Sequence, residues 1–170
     1  MKNLITLIAA VVLVAITATV NAQVTGTATG SATIITPISI LKTTDMNFGN
    51  LAVSPTISGT VTLSPLGGRT TDGAGGVVLP AVNGTVAAAS FTVSGLANST
   101  YSISLPSSYI ISYLTNNMTV NAFTSTPSAI GTLTGGSQVI KVGATLNVAA
   151  GQVAGTYVNT TGFNVTVNYN

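Results

Sequence analysis

The 170-residue sequence has no cysteine and no histidine, and only two acidic residues, Asp45 and Asp72. Without cysteine an exported domain has no disulfide framework and must be held by its core, and there is no thiol to carry a lipid anchor. Without histidine or a convincing pair of carboxylates there is no nucleophile with its base, no acid/base pair and no transition-metal cluster. Serines are plentiful, but nothing is present to activate them. The expectation is a protein that is not an enzyme and uses no cofactor. Asp72, in a glycine-rich loop, offers one oxygen donor of the kind calcium accepts, too little for a site. Arg69 stands close enough in sequence to pair with Asp72 across that exposed loop.

Charge is equally scarce. Beyond residue 22, three cations (Lys42, Arg69 and Lys141) stand against the two carboxylates, a net +1. Phosphate recognition needs clustered Lys or Arg, so nucleic acid is not an expected partner. Gly67-Gly68-Arg69 lacks the Lys-Ser/Thr of a phosphate loop. Thr, Ser and Asn keep the surface soluble, and a surface so close to neutral does little to repel copies of itself, which favours self-association.

What is present begins with a leader. Met1-Lys2-Asn3 gives a positive start, residues 4–20 are apolar, and Val20-Asn21-Ala22 supplies small residues where a signal peptidase cuts. A signal peptide over residues 1–22 is predicted, with cleavage before Gln23. No comparable apolar run follows, so no integral membrane segment is expected afterwards. The mature chain is expected to pass through the periplasm to the cell surface or beyond.

Past the leader no segment has helical period, and hydrophobicity alternates with a period of two instead. In residues 23–33, Val24, Gly26, Ala28, Gly30 and Ala32 share one face and Thr or Ser fills the other. This is either a frayed polar terminus or a strand suited to a narrow groove, completing a sheet by strand addition. Pro37 interrupts the strand expected over residues 34–41 and suggests an edge or a switch between sheets. Met46 and Phe48 point one way, residues 56–63 alternate again, and residues 64–76 have the glycine content of a loop. Residues 77–79 read as a brief strand. Residues 87–94 and 100–105, joined by Gly95-Leu96-Ala97-Asn98-Ser99, read as a hairpin. Residues 109–114 and 118–123 follow as strands, then a second loop over 124–137.

The last thirty residues carry the clearest pattern. Residues 139–148 alternate, and after a glycine-punctuated connection Phe163, Val165, Val167 and Tyr169 alternate with Asn and Thr. The two read as a strand pair, and the second as an assembly handle. The expected fold is an all-β, immunoglobulin-like antiparallel sandwich of about 7–9 strands over residues 34–170, with residues 23–33 as an N-terminal extension. A small β-barrel is the competing architecture.

Several pieces together resemble a known family. They are Phe48-Gly49, the run from Gly59 through Ser64-Pro65 into Gly67-Gly68-Arg69, the segments Phe91-Thr92-Val93-Ser94-Gly95 and Tyr101-Ser102-Ile103, and Ala154-Gly155-Thr156-Tyr157 before the final alternation. They resemble the DUF4402 family, itself a domain of unknown function, which is similar in pattern to spore-coat-U-like and other chaperone–usher pilin subunits. That resemblance implies a sandwich lacking one strand, whose groove is filled by the N-terminal extension of the next subunit. It implies a periplasmic chaperone and an outer-membrane usher as partners. Phe163, Val165, Val167 and Tyr169 would then face the chaperone and later line the groove, and residues 23–33 would be the donor. The extension departs from that pattern in its small side chains, and the two-cysteine disulfide of many such pilins is absent. The expected function is a secreted, pilin-like structural subunit of a surface filament or coat. The alternative is a monomeric exported module that binds polysaccharide through Tyr109, Tyr113 and the two long loops.

Overall fold

The computed structural model describes residues 23–170, and the predicted leader over residues 1–22 lies outside the described residues. The chain divides into two units at Ile34/Ile35. Residues 23–34, taken by themselves, carry no regular secondary structure and are exposed. The second unit is all-β, with twelve strands and no α-helix among the described residues. None of the described residues forms a helix long and apolar enough to cross a membrane.

The large sheet is built on β11, Ser137–Val148, the longest strand. Its first half pairs with β6 (Ala89–Ser94) and its second half with β3 (Gly59–Leu63), in registers that include Val142↔Ala89 and Leu146↔Val61. On its opposite side β9 (Asn116–Thr126) spans the junction between the two halves. Outward from these lie β1 (Ser39–Thr44) on β6, β4 (Arg69–Thr71) on β3, and β8 (Ser108–Tyr113) on β9. The strand β1 begins only after Pro37, which cannot donate to a ladder. The β9 strand carries a bulge: Ala122, at φ 48°, and Phe123 together oppose Ala144, and the register shifts there. Such a bulge bends the strand and adds twist, which curls the sheet around its inner face.

That inner face is read directly from alternation. Ile140, Val142, Ala144, Leu146 and Val148 of β11 are all buried and point the same way. They feed two clusters. In one, Ile140, Val142, Phe91 and Val93 pack against Tyr101, Leu133 and Val167. In the other, Ala144, Leu146 and Val148 pack with Val61, Leu63, Met118 and Val120, with Phe48 from a connecting segment, and with Val77. The first cluster is closed by a second, three-stranded sheet in the order β10 (Ile130–Thr132), β7 (Thr100–Ser104), β12 (Thr166–Tyr169). A short pair, β2 (Ala52–Val53) with β5 (Val77–Val78), lies over part of the second. The result is the expected β-sandwich, with more strands than the sequence suggests, most of them short and two of them, β9 and β11, longer than expected.

Four local expectations are corrected. The segments 87–94 and 100–105 do not form a hairpin: β6 lies in the large sheet and β7 in the small one, so the turn between them crosses from sheet to sheet. Alternation is identical whether two strands lie side by side or face each other across a core, so the period could not distinguish the two. The same holds at the C-terminus, where β11 and β12 lie in different sheets and β12 pairs with β7. The glycine-rich loop over 64–76 contains β4, which folds back on β3 through Val61↔Thr71 and Leu63↔Arg69. The second loop, over 124–137, contains the end of β9 and all of β10. One true hairpin went unread: β8 and β9 join through Leu114, at φ 52°, without the glycine that usually marks such a turn.

Candidate assembly groove

The half of the inner face that the small sheet leaves uncovered is bordered by two irregular segments, residues 44–51 and 152–163. Between them runs a groove of about 1320 Å³. Its floor is the large sheet itself: Phe91 of β6, Met118 and Val120 of β9, Leu146 and Val148 of β11, and Tyr109 and Ile111 of β8. Because β-strand side chains alternate, each strand offers every second residue to this floor, and those residues are apolar.

One wall is the segment carrying Met46 and Phe48. Asn47 exchanges both main-chain hydrogen bonds with Ala87, at 2.8 and 2.9 Å, which directs its neighbours Met46 and Phe48 inward. Beyond them the wall is clamped by Arg69. Its guanidinium donates to the carbonyl oxygens of Phe48 and Asn50, the latter at 3.1 Å, and to Asn83 Oδ1 at 3.1 Å. Gly49, at φ 70°, passes beneath it, where a Cβ would press on the Asn83 carbonyl and on Arg69 itself.

The other wall is held to β8. Val158 and Ser112 exchange main-chain hydrogen bonds at 3.0 Å, the Tyr109 hydroxyl donates to the Asn159 carbonyl at 2.9 Å, and Asn159 Nδ2 donates to the Ile110 carbonyl at 2.8 Å. Tyr113 and Tyr157 pack ring on ring at 5.7 Å, over Gly155, whose hydrogen leaves room for the Tyr113 ring. Phe163 stands at the end of this wall among Phe123, Tyr109 and Phe91, with centroids 5.0, 5.6 and 6.3 Å away. The charged residues lining the groove are Lys42 and Asp45, paired with each other at 2.6 Å on the exposed side. Burial raises the Tyr109 phenol above its usual pKa, with the Asp45 carboxylate adding to the effect. Tyr101, on β7 of the small sheet and facing the core, is also raised, by burial alone.

The predicted site residues are distributed unevenly over this geometry. Phe163 lines the groove. Val165 and Tyr169 pack on the closed cluster, and Val167 is buried within it. The Tyr169 hydroxyl accepts the Leu96 N–H at 2.6 Å and donates to the Thr36 carbonyl at 2.8 Å. The alternation from Phe163 to Tyr169 holds throughout, but only residues 166–169 form the ladder, because β7 ends at Ser104 opposite Thr166. Val24, Gly26, Ala28, Gly30 and Ala32 lie in the unit without regular secondary structure. The sequence reading missed the floor of the groove and the role of Arg69. Arg69 does not pair with Asp72, which instead accepts from the main-chain N–H of Thr60 at 2.8 Å and of Ala74 at 3.1 Å. Two of the motif pieces singled out for resemblance, Phe48-Gly49 and Gly67-Gly68-Arg69, meet in this clamp.

A family model described as a domain of unknown function, DUF4402, matches residues 38–169. No curated protein and no solved structure matches the chain.

Proposed function

The chain belongs to the DUF4402 family, and from that premise and the groove we propose that the protein is an exported structural subunit, pilin-like, that assembles by β-strand addition. The observation carrying this reading is the unequal cover of one sheet: the three-stranded sheet closes one half of its inner face, and over the other half, beside the short β2–β5 pair, lies a long trough with an apolar floor. At about 1320 Å³ the trough exceeds the roughly 300–1,000 Å³ of typical small-molecule sites. Its floor is apolar and aromatic, while its walls add polar side chains such as Thr44, Asn47, Gln152 and Thr156 beside their main chain, a combination that an extended peptide with apolar and polar faces can match. The occupant this reading assigns is the segment 23–33 of a neighbouring copy, which is uncharged and alternates along its length. A periplasmic chaperone would hold the groove before assembly and an outer-membrane usher would release the subunit at the surface.

The polysaccharide-binding alternative has less support. Two of the rings it would use are engaged within the fold, Tyr109 through its hydroxyl and Tyr113 against Tyr157. The test is the size distribution of residues 23–170 beside residues 34–170, by light scattering and negative-stain microscopy. Filaments or ladders in the first and monomers in the second are expected. Compact monomers in both would remove the assembly role and return attention to the loops.

A further inference from the structure

The wall clamp brings together groups whose chemistry goes beyond holding a loop. Asn83 is followed by Gly84, the one neighbour with no side chain to obstruct an approach of its main-chain nitrogen to the Asn83 side-chain carbonyl. Both residues are exposed, so water reaches them. Asn83 Oδ1, the oxygen on which charge would develop during such an attack, already accepts a hydrogen bond from the Arg69 guanidinium at 3.1 Å. Arg69 is itself fixed by the carbonyls of Phe48 and Asn50. The Asn83 main chain is held by the Asn50 N–H at 2.7 Å. A fixed cationic donor aimed at the oxygen of a carbonyl under attack is the arrangement that stabilises an oxyanion.

We propose that Asn83-Gly84 is a self-modifying site, at which Arg69 polarises the Asn83 side-chain amide for cyclisation by the Gly84 main-chain nitrogen. The bond from Gly84 N to Asn83 Cγ forms and the bond from Cγ to Nδ2 breaks. The nitrogen leaves as ammonia, carrying the proton lost from Gly84 N. Water then opens the cyclic imide at either carbonyl, leaving an aspartyl residue or its isoaspartyl isomer in place of Asn83. No oxidant or further reactant enters. The two products act differently on the groove wall. The aspartyl form places a carboxylate against Arg69 and turns a hydrogen bond from a cation to a neutral amide into an ion pair. The isoaspartyl form reroutes the main chain through the β-carbon and displaces the Asn83 carbonyl that receives the Asn50 N–H.

The test is peptide mapping by mass spectrometry of the 23–170 protein after incubation at mildly alkaline and mildly acidic pH, with isoaspartate labelled by its methyltransferase. Conversion at Asn83 ahead of every other asparagine, faster at alkaline pH, is expected. R69Q should slow it about tenfold, less than the roughly 10²–10³ of a water-excluded oxyanion donor because this contact is exposed, and R69K should fall between. A second comparison stands even if these variants unfold: the native wild-type protein should convert Asn83 at least as fast as the same protein in denaturant. An unmodified Asn83, an R69Q rate equal to or above that of the wild type, or slower conversion in the native state would each overturn the proposal.

Discussion

The two halves of β11 point the same kind of side chains toward the same face of the same sheet, yet they end in different environments. Ile140 and Val142 lie beneath a second sheet and are fully buried. Leu146 and Val148 are as well shielded by their neighbours, but the space above them is a trough bounded by irregular walls. Strand pattern alone therefore does not say whether a face is covered by its own chain. The half closed by the small sheet is fixed by packing on both sides, whereas the trough over the other half is where the proposed occupant would lie.

The largest effect should come from the closed half. I140A removes a fully buried side chain inside packed surroundings and should cost about 2–5 kcal/mol, read as a lower urea midpoint. The fastening of that half is next. Y169F keeps the ring but removes the hydroxyl that bridges Leu96 and Thr36, and should cost about 1–2 kcal/mol at roughly 1 per hydrogen bond. On the open side, I111A trims a half-buried residue that already borders the groove, so little closed cavity is created. A loss near ~1 kcal/mol is expected, below the usual core range. A cost for I111A equal to that of I140A would erase the distinction between the halves.

Titration sharpens the same contrast. Tyr101 and Tyr109 both have folded-state pKa values raised above the ordinary 10.0. The fold thus favours their neutral forms, and this contribution is complete below that value and lost as pH rises through the raised ones. Stability should fall in alkali. Filling the groove should bury Tyr109 further and move its titration upward while leaving Tyr101 in place, as ultraviolet difference absorbance would register. Both moving, or neither, would place the occupant elsewhere. The smallest effect belongs to the outer face. T62V removes a hydroxyl that meets Thr145 at 3.1 Å in an exposed position and should change stability by less than about 0.5 kcal/mol.

Much of the sheet was legible because burial imposes the period of two on the sequence. The inward sets of β3, β6, β11 and the C-terminal segment are those that alternation predicts. Partnering was not legible, since β6 and β7 show the same alternation whether paired or facing. The groove was half legible. Phe163 was named because it sits in an alternating run, but the floor residues Ile111 and Met118 look like any core residue until the missing cover is seen. Arg69 was misassigned because charge proximity in sequence suggested Asp72, whereas the guanidinium is satisfied by carbonyls brought from residues 48 and 50. Val167 belongs to the closed core, so a charge there would unfold the domain and say nothing about assembly. Phe163 is the position to change at the groove.

The absence of cysteine makes one measurement direct. On the proposed assembly, with the extension of one copy in the groove of the next, the 23–170 protein carrying A28C and I111C together, oxidised under mild conditions, should give an intermolecular ladder on a non-reducing gel. T92C on the outward face of β6, paired with A28C, serves as the comparison. Cross-linking through Ile111→Cys that is no greater than through Thr92→Cys, or a cross-link that closes within a single chain, would contradict assembly through the groove.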